Sequence, residues 1–467
     1  MNASELLLHL LLALFVILVV ARLVGVLFRR IGQPPLIGEV VAGILLGPSL
    51  LGRVWPQGSA FLLPPEMAPY LQAIAQIGVL LYMFVIGLEL DPAQLRRRPH
   101  QVVAISITGM VFPFLLGLFV AGAIYPALAG EGVPFVAFAV FIGVALAITA
   151  FPVLARILSD RGIQHTRLGT LALACAAIGD VAAWCLLALA TAIATAEGSD
   201  AVRTVLLTAA FLALILVAVR PLLTRFAHRV EREGDEPSLE SLSVVFAALL
   251  LAALVTEWIG IHALFGAFLV GVSIPHDSAL ARSLRMRLHD TVAVLLLPAF
   301  FAFSGLRTQF GLVSGVGQWS VCILILLVAC VGKFGGTTVA ARAVGLPWRT
   351  ATSLGVLMNT RGLVELIVLN VGLDLGVISA PLFAMLVLMA IVTTFATSPL
   401  LSWIERPGHA RVLRRVGNAA SEALGVTGGG LVVFLGVLAV FTFIPFLSST
   451  LIAAGMRLIH KSRGARE

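Results

Sequence analysis

Apolar runs of about 20 residues, the length a helix needs to cross bilayer hydrocarbon, recur along the chain between short polar breaks. They fall near residues 5–28, 34–52, 67–90, 101–125, 133–158, 167–196, 202–224, 240–258, 260–275, 291–312, 319–343, 349–372, 377–403 and 430–456. The pattern predicts an all-α polytopic membrane protein with 13 to 14 transmembrane helices. The short alternating segments of a membrane barrel are absent from it. The first run continues to Phe28 before Arg29 and Arg30, which is long for a cleaved leader, so it reads as a retained span.

Composition agrees with this reading. The 467 residues are 60% hydrophobic and 12% charged, against about 25% charged in soluble proteins. The mean hydropathy is +1.07. The net charge of +8 is dispersed in short loops, which excludes a nucleic-acid surface and makes it a topology signal. Arg29/Arg30, Arg96–Arg98, Arg161/Arg167, Arg225/Arg229/Arg232, Arg282/Arg285/Arg287 and Arg342/Arg349 all follow odd-numbered segments. The alternate loops hold little beyond Arg53. Positive loops stay inside, so the expectation is a cell-membrane protein with its N-terminus outside.

Residues 1–405 read as one membrane domain, and residues 406–467 as a linker plus one extra hydrophobic segment at 430–456. That last segment is long enough to span, although spanning would put the basic tail "HKSRGARE" outside, against the charge rule. Cys175, Cys185, Cys322 and Cys330 all lie in apolar runs without metal spacing and read as buried filler.

Against this background the ionisable residues within segments stand out, because charge at membrane depth is costly and marks function. Asp180 is the sole ionisable residue of "LALACAAIGDVAAWCLLALATAIA", residues 171–194. Burial disfavours the charged form of such a carboxylate, so proton and cation compete for it. Lys333 lies mid-segment in "LVACVGKFGGTTVA", deep enough to partner a carboxylate. Arg361 and Glu365 are four apart and pair on one helix face in the structural reading, which weighs equally with a functional one. Glu39, Glu257 and His262 lie near segment ends and read as helix-end or interhelical hydrogen-bonding groups.

Pro152 interrupts the fifth segment in "ITAFPVL". It lacks an amide donor and disfavours helix at Phe151, so carbonyls around Thr149 and Ala150 are expected to lose partners. In hydrocarbon something must satisfy them, and a bound cation would. "LMNTRGLVEL" interrupts the twelfth segment in a similar way, seven segments later. The second and ninth segments also resemble each other at that offset. An odd offset inverts orientation, so these would be inverted repeats, whose broken helices at matching places point to a transport site; the alternative is a chance pairing of the kind any long membrane protein offers.

The stretches "PPLIGEVVAGILLGPSLLG", "GVLLYMFVIGLELD", "ITAFPVLARIL", "GDVAAWCLLAL", "GIHALFGAFLVGV" and "MNTRGLVELIVLNVG" resemble the monovalent cation:proton antiporter-2 family, the Kef-type and plant cation/proton-exchanger-like transporters. The resemblance covers residues 5–405 in order. It implies a sodium/proton antiporter-like fold of inverted repeats with two crossing, partly unwound helices, and a homodimer. By resemblance the ion-binding Asp is Asp180, and Lys333, Arg361 and Glu365 supply supporting charge. Thr149, Ala150, Phe151, Pro152, Asn359 and Thr360 then fall on the broken helices that line the site. Gly179 stands where many relatives carry a second ligand, which leaves one exchangeable negative charge. The Kef-type nucleotide-binding domain is not expected, since no G-x-G-x-x-G follows the membrane part.

The expected function is therefore exchange of K⁺ or Na⁺ for H⁺ by alternating access, with no cofactor and no metal beyond the transported ion. A channel or sensor on the same scaffold, or an organic-anion transporter of related architecture, is the alternative. A channel would need a carbonyl filter or continuous polar pore, and no such motif is seen. No nucleophile motif or metal triad suggests an enzyme.

Overall fold

The computed structural model describes residues 3–89, 99–195, 199–233 and 237–405. The segment 430–456 lies outside the described residues. The fold is nearly all helical. Helix α1 is Ala3–Arg30, α2 Pro35–Leu46, α3 Ala68–Glu89 and α4 Pro99–Leu128. A broken pair follows, α5 (Phe135–Ala147) and α6 (Phe151–Asp160), and then α7 (Arg167–Thr195). Helix α8 runs Ser199–Leu214 and, after a π turn at Ile215–Val219, continues through Arg220–Glu233. Helices α9 (Leu239–Ile259) and α10 (Ala263–Ser273) come next. Helix α11 is Ala279–Thr291, a π turn over Val292–Leu296, then Leu297–Arg307. Helix α12 is Gly315–Ala343 with a π turn at Val331–Gly335. A second broken pair, α13 (Trp348–Met358) and α14 (Leu363–Asp374), precedes α15 (Ala380–Glu405).

Among the described residues, 11 helices are long and apolar enough to cross a membrane. The two remaining segments expected before residue 405 are shorter for physical reasons. The ninth is α10, held to 11 residues by tight ends. Gly260 closes α9 in the left-handed region, at φ 90°. His262 starts α10 at φ 72°, a strained position for a residue with a Cβ. Its ring Nδ1 accepts from the Leu264 amide at 3.5 Å, and Glu257 accepts from the Ala263 amide at 2.8 Å. Both side chains therefore cap helices. The twelfth segment is the broken pair α13/α14. One cysteine departs from expectation: Cys185 is exposed on the surface of α7, while the other three are buried.

The inverted repeat is visible in the packing. In the first half α2 packs on α1, and in the second α10 packs on α9. Each half then crosses to the other, α2 against α11 and α10 against α3. Glycine makes both crossings close. A Cβ on Gly43 of α2 would stand 2.8 Å from the Ala302 Cα of α11, and one on Gly305 would strike Gly43 itself. A Cβ on Gly87 of α3 would stand 2.9 Å from the Gly271 Cα of α10. Close backbone approach through small residues is how helices associate without a hydrophobic driving force between them.

Helices α1, α2, α3, α9, α10 and α11 thus form one bundle. Helices α4 to α7 and α12 to α15 form a second, in which α4 and α12 flank the two broken pairs. Packing between the bundles is sparser than within them.

The crossings give a test. Gly43→Ala should destabilise the protein by about 1–3 kcal/mol, because a methyl group is driven into the facing backbone. Gly179→Ala, with open space around its Cβ position, should be neutral or stabilising by up to about 1 kcal/mol. Thermal unfolding of the two purified variants checks the contrast, and equal melting temperatures would refute it.

Candidate ion site at the crossing of two broken helices

Helix α5 stops at Ala147 because Ile148 is extended, at φ −70° and ψ 141°. Helix α6 restarts with Ala150 as its cap and Pro152 in its first turn, where the missing donor costs nothing. Helix α13 stops at Met358, and Gly362 precedes α14. The two interruptions bond to each other. The Ala150 amide donates to the Thr360 carbonyl at 3.0 Å, and the Thr149 hydroxyl donates to the Met358 carbonyl at 2.7 Å. Within its own break, the Thr360 hydroxyl donates to the Leu357 carbonyl at 2.6 Å.

Of the two carbonyls the sequence singles out, one is occupied: Ala150, as the cap of α6, has its carbonyl bonded by the Leu154 amide at 3.0 Å. The last carbonyls of α5 are freed as well, and two buried cations take them. Arg361 donates to Ala145 and to Leu146, each at 2.8 Å, and Lys333 donates to Ala147. Lys333 reaches there from the π turn of α12, a distortion that recurs at functional sites. Arg361 also pairs with Glu365 at 3.1 Å, with both side chains fully buried. The structural pairing of these two residues and a role at the break thus coexist.

Asp180 sits at the middle of α7 and is 2% exposed. The Phe151 amide at the N-terminus of α6 faces its carboxylate, and Lys333 lies within electrostatic range. Yet neither carboxylate oxygen has a hydrogen-bond partner among the described residues. Asn359 donates to the Cys330 sulfur at 3.6 Å, and its side-chain oxygen is likewise buried and unpartnered. Phe151 and Pro152, the first residues of α6, complete this wall.

These groups form a layer. The apolar cores of the second bundle separate there: one cluster holds Ala147, Ala183, Ala329 and Val364, the other Ala150, Ala176, Ala340 and Met358. Between them on each helix lie Thr149, Asp180, Lys333 and Asn359 to Arg361. Sequence reasoning missed one member. Thr394 of α15 accepts from the Arg361 amide at 2.8 Å and donates to the Arg361 carbonyl at 2.6 Å, holding the second break open. The tandem Thr393–Thr394 partway along a largely apolar run is the trace of it in the sequence.

A helical membrane bundle with two crossed, interrupted helices and a buried, unpartnered carboxylate between them has the architecture of an ion-coupled transporter. The chain belongs to the sodium/hydrogen exchanger family: the family's profile, "Sodium/hydrogen exchanger, transmembrane", matches residues 15–404. It is 43% identical to the Na(+)/H(+) antiporter NhaS4 of Synechocystis sp. over 85% of this chain and 97% of that protein. It is 42% identical to cation/H(+) antiporter 20 of Arabidopsis thaliana, over 84% of this chain and 48% of that one. The K(+)/H(+) antiporter 1 of Saccharomyces cerevisiae is 34% identical over 88% of this chain and 48% of its own length. The chain thus spans about half the length of these plant and yeast relatives. The sodium proton antiporter MjNhaP1 from Methanocaldococcus jannaschii shares the fold, with a TM-score of 0.55 at 16% identity over 85% of this chain and 97% of that one.

Removing one partner of a buried ion pair leaves the other charge unpaired, at about 3–5 kcal/mol. Arg361→Gln should therefore lower the melting temperature sharply, and Glu365→Gln in the same chain should recover part of the loss. A melting temperature that Arg361→Gln leaves unchanged would show that the pair and its two carbonyl bonds do not hold the break.

Proposed function

We propose that this protein exchanges Na⁺ or K⁺ for H⁺ across the cell membrane, with Asp180 holding one ion or the other. The observation that carries the reading is the carboxylate itself, buried mid-bundle with neither oxygen bonded. Proton and cation compete because each neutralises the same charge. Asn359, with its free side-chain oxygen, and the residues of the first break, Thr149 to Pro152, line the place the cation takes. The second bundle, carrying this layer, moves against the first and exposes Asp180 to each side in turn. The N-terminus lies outside, and the protein works as a homodimer.

Charge counting sets the stoichiometry. Asp180, Lys333, Arg361 and Glu365 sum to zero when all are ionised. Loading Asp180 with a proton or with one monovalent cation gives the same net charge. Lys333, engaged with the Ala147 carbonyl, keeps its proton in both loaded states.

The first test is exchange in proteoliposomes with a pH-sensing dye and Li⁺, Na⁺ and K⁺ in turn. Asp180→Asn should fold and lose cation-driven proton flux, since an amide can neither exchange a proton nor hold a cation by charge. In the wild type the apparent cation affinity should fall as pH falls, because protons occupy the shared carboxylate. Antiport by well-folded Asp180→Asn would end the reading.

The second test imposes a membrane potential. One-for-one exchange predicts a steady-state cation gradient that does not respond to voltage at fixed pH gradient. A voltage-dependent gradient would refute it, and loss of that dependence in Lys333→Gln would assign the extra proton to Lys333.

A further inference from the structure

The ion pairs described so far lie within single bundles. Arg361–Glu365 sits in the second bundle, as does Arg161–Glu405 between the loop after α6 and the end of α15. Arg22–Glu39 joins α1 to α2 in the first bundle. Arg307 is different. It ends α11 of the first bundle, and its guanidinium meets Asp374 at the end of α14 in the second, at 2.6 Å. The same nitrogen donates to the Asn370 side-chain oxygen at 3.2 Å. Asn370 and Asp374 are one turn apart on α14 and so share a face. The Asn370 amide returns to α11, donating to the Ser304 hydroxyl at 2.8 Å. Three polar contacts thus tie one bundle to the other across a single pair of helix ends.

Their position along the membrane matters as much as their number. Arg307 and Asp374 both lie at the face opposite the arginine-rich loops, since α11 and α14 each run away from those loops. A cavity beside them is lined by Val79, His262, Asn370 and Asp374, from both bundles. A second cavity, lined by Ile37 and Val40 of α2, reaches Arg361, Gly362 and Thr394 at the second break. Both cavities thus lie between the two bundles, one beside the latch and the other at the break.

We propose that Arg307, Asn370, Asp374 and Ser304 form a latch that holds the two bundles together at the face opposite the arginine-rich loops, and that its release is the step that opens the site to that face. The latch rests on the moving-bundle reading above, and adds to it the residues that set the balance between the two open states. The ion pair is partly open to solvent, with side chains 23% and 34% exposed. A pair of this kind is worth little, so breaking it should shift a two-state balance by about fivefold rather than abolish either state. A gate that must open in every cycle has to be weak in this sense.

The test reads access rather than transport. In protein with its native cysteines replaced, Val79→Cys reports the cavity at the latch and Ile37→Cys the cavity at the second break. Both positions are buried, at 1% and 4% exposed. A charged maleimide is added to purified protein in detergent, so both faces meet the reagent. Arg307→Gln and Asp374→Asn should each raise the labelling rate at Val79→Cys by about fivefold without raising it at Ile37→Cys. Exchanging the charges, Arg307→Asp with Asp374→Arg, should bring the rate back toward that of the unswapped protein. Unchanged labelling at Val79→Cys in both single variants would overturn the latch. So would equal acceleration at both positions, which marks general loosening. No ion gradient enters this measurement, so a failed latch leaves the exchange assay untouched, and a failed exchange assay leaves the latch readable.

Discussion

A backbone carbonyl without a partner inside hydrocarbon has no water to turn to, at a cost of several kcal/mol. The second bundle breaks two helices in its middle and must answer that cost at each. The answer is what organises the rest of the site. The two breaks cross so that Ala150 and Thr149 of one serve Thr360 and Met358 of the other. What remains exposed, the end of α5, is taken by Arg361 and Lys333. The long side chains that reach it come from helices far away in sequence, which ties α5, α12 and α14 into one unit.

Helix ends carry partial charge, positive where a helix begins and negative where it ends. The charged residues follow that field. Arg361 and Lys333 meet the C-terminus of α5, Asp180 faces the N-terminus of α6, and Glu365 lies in the first turn of α14. Each charge sits where a helix end favours its sign. Asp180 differs from the others in one respect. Its favourable contacts are the Phe151 amide it faces and nearby Lys333, and neither oxygen makes a well-formed hydrogen bond.

The membrane spans were legible because hydrocarbon imposes both their length and their composition. The runs read at 101–125, 167–196 and 377–403 lie on α4, α7 and α15 to within a few residues. Asp180 and Lys333 stood out for the same reason, since charge in such a run is costly. The break itself was harder. Pro152 marks it, but proline tolerated in a first turn does not say which carbonyls are freed, and the bonds that answer this join Ala147 to a residue 186 positions away. Thr394 was invisible because threonine in an apolar helix ordinarily bonds back to its own chain, as Thr393 does to Met389. Arg307 and Asp374 lay at segment ends, where charge is inexpensive and carries no signal.

Thr394 also shows what the inverted repeat leaves unequal. The helix after the first break is α7, and its counterpart after the second is α15. Each sends one polar side chain from its middle toward the neighbouring break. On α7 that side chain is Asp180, facing the Phe151 amide without bonding it. On α15 it is Thr394, which bonds both the amide and the carbonyl of Arg361. A hydroxyl donates and accepts at once, so it closes a break; an ionised carboxylate only accepts, so it cannot bond a carbonyl. The second break is thereby locked, with Arg361 aimed at α5, while the carboxylate beside the first has neither oxygen so bonded. Two halves with the same fold thus differ at their breaks, one closed by a hydroxyl and the other faced by a carboxylate.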